Sequence, residues 1–187
     1  MLKKNNSKSL KLLQYYKLIN YNLIFHNKAI NRYKKNNFEV SEDKFKSLEL
    51  LKKSIIDLKN CNLKNQAKNI VFSDGNPRSK IMLIGEAPGA SEDQEGLPFV
   101  GRAGMLLDKM LASIDLDRKK VYISNIVNYR PPENRRPTDH EIKRYLPFIL
   151  KHIEIINPKI LVLLGSTAMN ALIGNDVVIS KMRGKWI

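Results

Sequence analysis

Apolar residues recur at helical spacing between positions 45 and 58. Phe45, Leu48, Leu51, Ile55 and Leu58 form one stripe, with Lys46, Lys52, Lys53 and Lys59 between them, and this period predicts a core-facing helix. Ser41 stands where its hydroxyl would cap that helix, and Glu42 and Asp43 lie where the helix dipole favours anions. Asp74-Gly75-Asn76-Pro77 is a turn signal. The continuous apolar run Ile81 to Ile84, closed by Gly85, has the form of a buried strand entering a loop. From Gly85 to Gly104 the chain carries five glycines and two prolines, which predicts a long loop without regular structure of its own, and such loops inside compact domains are usually functional. Leu106, Leu107, Met110, Leu111 and Ile114 predict an amphipathic helix with those five residues on its apolar face.

Val121 to Ser124 reads as a second strand, ending at Asn125. After the proline-rich turn Arg130 to Pro137, Thr138 and Glu141 have the spacing of a capping box. The helix that follows is predicted to bury Ile142, Tyr145, Leu146, Ile149, Ile153 and Ile156, to kink at Pro147 and to stop before Asn157-Pro158. Ile160 to Leu164 is a third buried strand in this reading, and Ser166 caps a short helix closed by Gly174. Alternating strands and helices at this spacing predict an α/β sandwich on a mainly parallel sheet. Ligands of such sheets bind outside the carboxyl ends of the strands, here Gly85, Asn125 and Gly165.

Length and charge refine the picture. The chain of 187 residues, 43% hydrophobic, can bury one core, so we expect a basic N-terminal extension over residues 1–40 and one domain over 41–187. The formal charge of +15 suggests an anionic partner such as nucleic acid. Residues 1–80 contribute 18 minus 6, or +12, and residues 81–187 contribute 15 minus 12, or +3. The first 37 residues hold nine basic and no acidic side chains, interleaved with Tyr15, Tyr16, Tyr21 and Phe25. An arm of this kind can lie along phosphates while its aromatics stack on bases; the plainer alternative is a partly helical Lys/Asn/Ile-rich extension. The apolar run Leu10 to Phe25 is interrupted by Lys11, Gln14, Lys17, Asn20 and Asn22, too polar for a membrane span, and no small-residue cleavage site follows it. A soluble, cytoplasmic monomer is expected. The single cysteine, Cys61, excludes an internal disulfide and fits a reducing compartment.

Three positions carry candidate chemistry. Gly85-Glu86-Ala87-Pro88-Gly89 sets a carboxylate directly after a strand, where it could position water or neutralise a developing cation; equally, Gly and Pro could merely shape a turn around a solvated Glu86. Glu92, Asp93 and Glu95 add acidic density nearby. Phe99, between Pro98 and Val100-Gly101, can form a floor on which a base stacks, or can tuck into the core. Asn125 can donate and accept at once, which matches the edge of a pyrimidine; a lone Asn after a strand is also a common turn former.

Taken together, IMLIGEAPGASEDQEGLPFVGRAGMLLDKML, VYISNIVNYRPPENRRPT, PKILVLLGSTAMNALIG and RGKW resemble, in order and spacing, the family 4 (iron-sulfur type) uracil-DNA glycosylases. The resemblance covers Cys61 to Trp186, about two-thirds of the chain. It implies a three-layer sandwich and hydrolysis of the N-glycosidic bond of uracil in DNA, after the nucleotide is extruded from the stack. By position it implies that Glu86 lies by the reacting sugar and its water, that Glu92 is a second catalytic acid, and that Gly85, Phe99 and Asn125 bind uracil, Phe99 by stacking and Asn125 by reading its edge.

The chain also departs from that family. Its four cluster cysteines correspond here to Leu58, Cys61, Tyr129 and Tyr145, so one ligand position of four keeps its thiol, and no four-iron, four-sulfur cluster or other cofactor is expected. Tyr129 and Tyr145 are expected to fill the vacated volume. The family's H-P-S histidine loop lies beyond RGKW, whereas this sequence ends at Ile187, so the sheet is expected to be incomplete there with an exposed edge. His26, His140 and His152 stand in the wrong context to replace that histidine. Catalysis is thus an open question on sequence grounds, with two alternatives: an inactive DNA-binding remnant, and a glycosylase-like segment of the kind found beside phage-type DNA polymerases.

Overall fold

The computed structural model describes residues 40–174 and 178–187. Expectations for the basic arm and for His26 fall outside these residues, whereas the first helix already includes Val40, so Ser41 lies within it and not at the cap position expected. Among the described residues four strands form the central sheet: β1 (Asp74–Gly75), β2 (Ile81–Gly85), β3 (Tyr122–Asn125) and β4 (Ile160–Leu163), in the order β1-β3-β2-β4. β2 runs parallel to both β3 and β4, and only β1 is antiparallel.

Alternation along the strands builds a core on each face of the sheet. Met82, Ile84 and Tyr122 point to one side, where they pack with Leu48, Leu51 and Ile55 of helix α1 (Val40–Ile56), with Leu63 of the short α2 (Asn62–Gln66), and with Tyr145, Ile149 and Ile156. Leu83 and Ile123 point to the other side, against Leu107 and Leu111. Helices on both faces of a mainly parallel sheet make the three layers that the sequence implies. The period-2 alternation is hidden in the sequence because both faces are buried.

Several local expectations are corrected. Asp74-Gly75 is an edge strand, and the turn follows it at Asn76, where Ser79 N donates to Asn76 O at 2.9 Å. The Gly85–Gly104 segment contains a helix, α3 (Ala90–Glu95), ended by Gly96 in the left-handed region. Of the five apolar residues expected on its inner face, helix α4 (Arg102–Ala112) buries only Leu107 and Leu111, with Gly104 besides; Leu106, Met110 and, beyond the helix end, Ile114 are each more than half exposed. A single i, i+4 pair suffices to dock a helix of 11 residues, and its neighbours lie about 100° round the axis. β4 is an edge strand among the described residues, so its run is half-exposed rather than buried, with Leu161 facing out.

Helix α5 (Asp139–Ile156) runs through Pro147 without ending; of the residues expected inside, Tyr145, Ile149 and Ile156 are buried while Ile142, Leu146 and Ile153 are only partly buried against the same core, and His152 is buried as well. In helix α6 (Ser166–Ile173) the cap position is Gly165, not Ser166. A last short helix, α7 (Ile179–Met182), precedes the exposed Trp186.

The capping box of α5 is present. Glu141 N donates to Thr138 Oγ1 at 3.2 Å, Thr138 N donates to Glu141 Oε2 at 2.7 Å, and Arg135 forks onto the same carboxylate at 2.7 and 2.8 Å. The Arg135 guanidinium above all, against the opposing effect of burial, holds the Glu141 carboxyl down at about 2. A depressed carboxyl pKa stabilises the fold above the unfolded value of 4.5 and loses that contribution as pH falls through about 2. Acid titration of Glu141→Gln is therefore expected to show a shallower stability loss below pH 4.5 than the parent chain, followed by circular dichroism. Thr138→Ala should cost about 1 kcal/mol at neutral pH.

Candidate active site at the carboxyl ends of the strands

The register of β2 and β3 pairs Gly85 with Asn125, and the ladder continues past the strand ends: Ile126 N donates to Gly85 O at 2.9 Å and Val127 N to Glu86 O at 3.1 Å. Gly85, Glu86 and Asn125 thus sit side by side where a parallel sheet binds ligands. Gly85 is required there by contact. A Cβ on it would lie 2.5 Å from the Phe99 Cζ and 2.5 Å from the Asn125 Oδ1. The aromatic ring and the amide therefore converge over the bare Cα of Gly85. Asn125 is 2% exposed. Its neighbours commit their side chains to the backbone, Ser124 Oγ donating to Phe72 O at 2.8 Å and Asn128 Nδ2 to Val71 O at 3.1 Å; among the described residues the Asn125 amide is not tied down in this way.

Phe99 reaches that position through a backbone in the left-handed region, φ 56°, a conformation that a bulky residue adopts only when its surroundings enforce it. Glu92 supplies part of the enforcement. Its Oε1 accepts from Val100 N at 3.0 Å and from Gly101 N at 2.8 Å, and its Oε2 from Gly89 N at 3.1 Å. Both carboxylate oxygens accept from loop N–H groups, so Glu92, from within α3, ties Gly89 to Val100 and Gly101. Asp93 is likewise structural: its Oδ1 accepts from Lys68 N at 2.9 Å and Asn69 N at 3.1 Å. Glu92→Ala should lower stability by about 2 kcal/mol, the loss expected when N–H groups lose a charged acceptor. A denaturant midpoint unchanged from the parent chain would show that the loop is held without it.

The Glu86 carboxylate is about one-third exposed and faces two partners that the sequence reading missed. The Thr167 hydroxyl donates to Glu86 Oε2, and Arg136 Nε lies 3.7 Å from the same oxygen. Arg136 also donates to Thr167 Oγ1 at 2.8 Å and to Ser166 Oγ at 3.2 Å. Thr167 stands two residues past Gly165, itself one of the three strand ends, so the strand-end rule could have found it; nothing in the sequence marks Arg136. His140, in the first turn of α5, is exposed, and His152 is buried with its Nε2 2.7 Å from the Tyr122 hydroxyl. Neither joins Glu86 or Asn125.

The sequence model of the uracil DNA glycosylase superfamily matches residues 72–187, more than half of the chain. The chain belongs to that superfamily. Among curated relatives, the type-4 uracil-DNA glycosylase of Sulfurisphaera tokodaii is 44% identical over 144 residues, covering 74% of this chain and 66% of that protein. Those of Thermotoga maritima and Archaeoglobus fulgidus are 43% and 39% identical, with 75% and 74% of this chain and 73% and 72% of theirs covered. The chain thus spans about two-thirds to three-quarters of the length of these relatives. A DNA polymerase of Bacillus phage SP01 is also similar, 35% identical over 112 residues that make up 12% of its length, so the polymerase-like alternative is a weak and partial match.

The cluster positions can be tested against the iron-sulfur group that this glycosylase family implies. Cys61 Sγ and the Tyr145 hydroxyl are 3.2 Å apart, and Cys61, Tyr129 and Tyr145 are all buried. Burial, reinforced by the hydrogen bond to Cys61, pushes the Tyr145 phenol far above its ordinary value, and burial likewise raises Tyr129. Neutral phenols packed against one thiol, with the side chain of Leu58 alongside the same core, do not fit a cluster held by four thiolates. Among the described residues no group of three or more His, Cys, Asp or Glu is placed to hold a metal ion.

A separate groove of about 730 Å³ runs along β4, α6 and residues 179–187, and its lining contains none of Gly85, Glu86, Phe99 or Asn125. No helix among the described residues is long and apolar enough to cross a membrane.

Proposed function

We propose that the chain excises uracil from DNA, with Gly85, Glu86, Phe99 and Asn125 forming the face of the pocket that receives the extruded nucleotide. The observation that carries this reading is the convergence of the Phe99 ring and the buried Asn125 amide over Gly85. A flat aromatic beside a donor-acceptor amide suits a pyrimidine, whose ring stacks and whose edge presents both an oxygen and an N–H. The bond from C1′ to N1 breaks with its electrons on N1, water forms the new bond at C1′, and the products are free uracil and an abasic site. Asn125 stabilises the charge developing on the base. Glu86, held by Thr167 and in part open to solvent, orients the water, balances the cationic sugar and takes the water's proton, which passes to solvent while the uracil anion is protonated from solvent.

In this proposal Glu92 acts through the loop it closes, the protein works as a cytoplasmic monomer on uracil-containing DNA, and it carries no iron-sulfur cluster. A second reading, uracil-DNA binding without hydrolysis, draws support from the placement of His140 and His152 away from Glu86 and Asn125. Incubation with single- and double-stranded uracil DNA followed by alkaline cleavage of abasic sites separates the two. Strand breaks at uracil are the expected result; retarded but uncleaved DNA would establish the binding reading.

A further inference from the structure

Phe99 is held from two sides, and only one of them is Glu92. The guanidinium of Arg118, in the segment between α4 and β3, donates to Pro98 O at 3.1 Å and to Phe99 O. It is itself fixed by two carboxylates on separate elements, Asp74 Oδ2 of β1 at 2.8 Å and Asp108 Oδ1 of α4 at 2.8 Å. The Phe99 carbonyl also lies so close to Gly104 that a Cβ there would fall 1.6 Å from its oxygen. The first turn of α4 and the Arg118 fork therefore meet on one peptide group. Arg118 supplies donors in the fixed planar geometry that two adjacent carbonyls and two carboxylates demand, which a lysine ammonium cannot reproduce.

We infer that Arg118 is a positioning residue for base recognition: by holding the Pro98 and Phe99 carbonyls it maintains the left-handed backbone that aims the Phe99 ring over Gly85. The role rests on the proposed uracil pocket but acts through the loop, not on the substrate. Asp74 and Asp108 orient the fork in turn.

The test uses the full chain with Arg118→Lys, Arg118→Ala, Phe99→Leu and the double variants. Arg118→Lys keeps a cation for Asp74 and Asp108 and is expected to melt close to the parent chain. It should nevertheless lose about tenfold in single-turnover uracil release, the scale of one weakened base stack. In the Phe99→Leu background the same replacement should cost less than about twofold, because residues acting through one ring are not additive. Additive losses would overturn the inference. Amide hydrogen exchange at Val100 and Gly101, read on the protein alone, should accelerate in both Arg118 variants while Ile123 in β3 keeps its protection. Unchanged exchange at those two amides would also overturn it. A parent chain that releases no uracil would refute the proposed activity, and the exchange result would then decide the Arg118 claim by itself.

Discussion

Replacing Asn125 by alanine is expected to reduce uracil release by about 10²- to 10³-fold, the loss typical when one preorganised hydrogen-bond donor to a developing anion is removed. The effect should fall on the chemical step, since uracil gains its charge only as the glycosidic bond breaks. Protein stability should change little, because the Ser124 hydroxyl and the Asn128 amide hold the backbone, whereas among the described residues the Asn125 amide makes no such bond. Asn125→Asp is the sharper variant: it keeps the shape, removes the amide donors and sets a carboxylate against the anion. Single-turnover rates for both, at protein concentrations that saturate binding, provide the check. An Asn125→Ala rate within about threefold of the parent rate would remove Asn125 from the site.

Replacing Tyr145 by alanine should cost about 3 to 5 kcal/mol, as for other large buried aromatics. Tyr145 is fully buried between α5 and the sheet, its ring lies 6.4 Å from that of Phe148, and its hydroxyl meets Cys61. Tyr145→Phe, which keeps the ring and removes that one hydrogen bond, should cost about 1 kcal/mol. The contrast bears on the cofactor. If the ring is what fills this part of the core, the protein as purified folds without iron, shows no visible sulfur-to-iron absorption band, and unfolds cooperatively with a midpoint that chelators do not change. Stoichiometric iron, or a Tyr145→Ala variant as stable as the parent chain, would contradict the proposal.

The sequence made the site's location legible before its geometry. Short apolar runs ending at Gly85 and Asn125 predicted two parallel strand ends, and the structure sets those residues in register. The capping box at Thr138 and Glu141 was equally plain, because it depends on side chains three residues apart. Other features depend on contacts between distant segments and leave no local trace. Arg118 looks like any surface basic residue beside Lys119 and Lys120, yet it joins β1, α4 and the Phe99 loop. Glu92 read as acidic density because its partners are backbone N–H groups, which no sequence pattern displays. The same holds for Arg136 and Thr167, which come to Glu86 from 50 and 81 residues away in numbering, 136 minus 86 and 167 minus 86. The exposed face of α4 misled for the opposite reason: five apolar residues at helical spacing suggest a wide buried stripe, and only two of them meet the sheet.

Glu86, Phe99 and Asn125 are bound into one claim, that this chain breaks the bond between uracil and deoxyribose. The most direct measurement is mass-spectrometric detection of free uracil after excess protein is mixed with a single-stranded oligonucleotide carrying one uracil, beside identical strands carrying thymine or cytosine. The expected result is uracil equal in amount to the oligonucleotide, with no release from the other two strands. No free uracil, with protein in excess and the oligonucleotide bound, would contradict it.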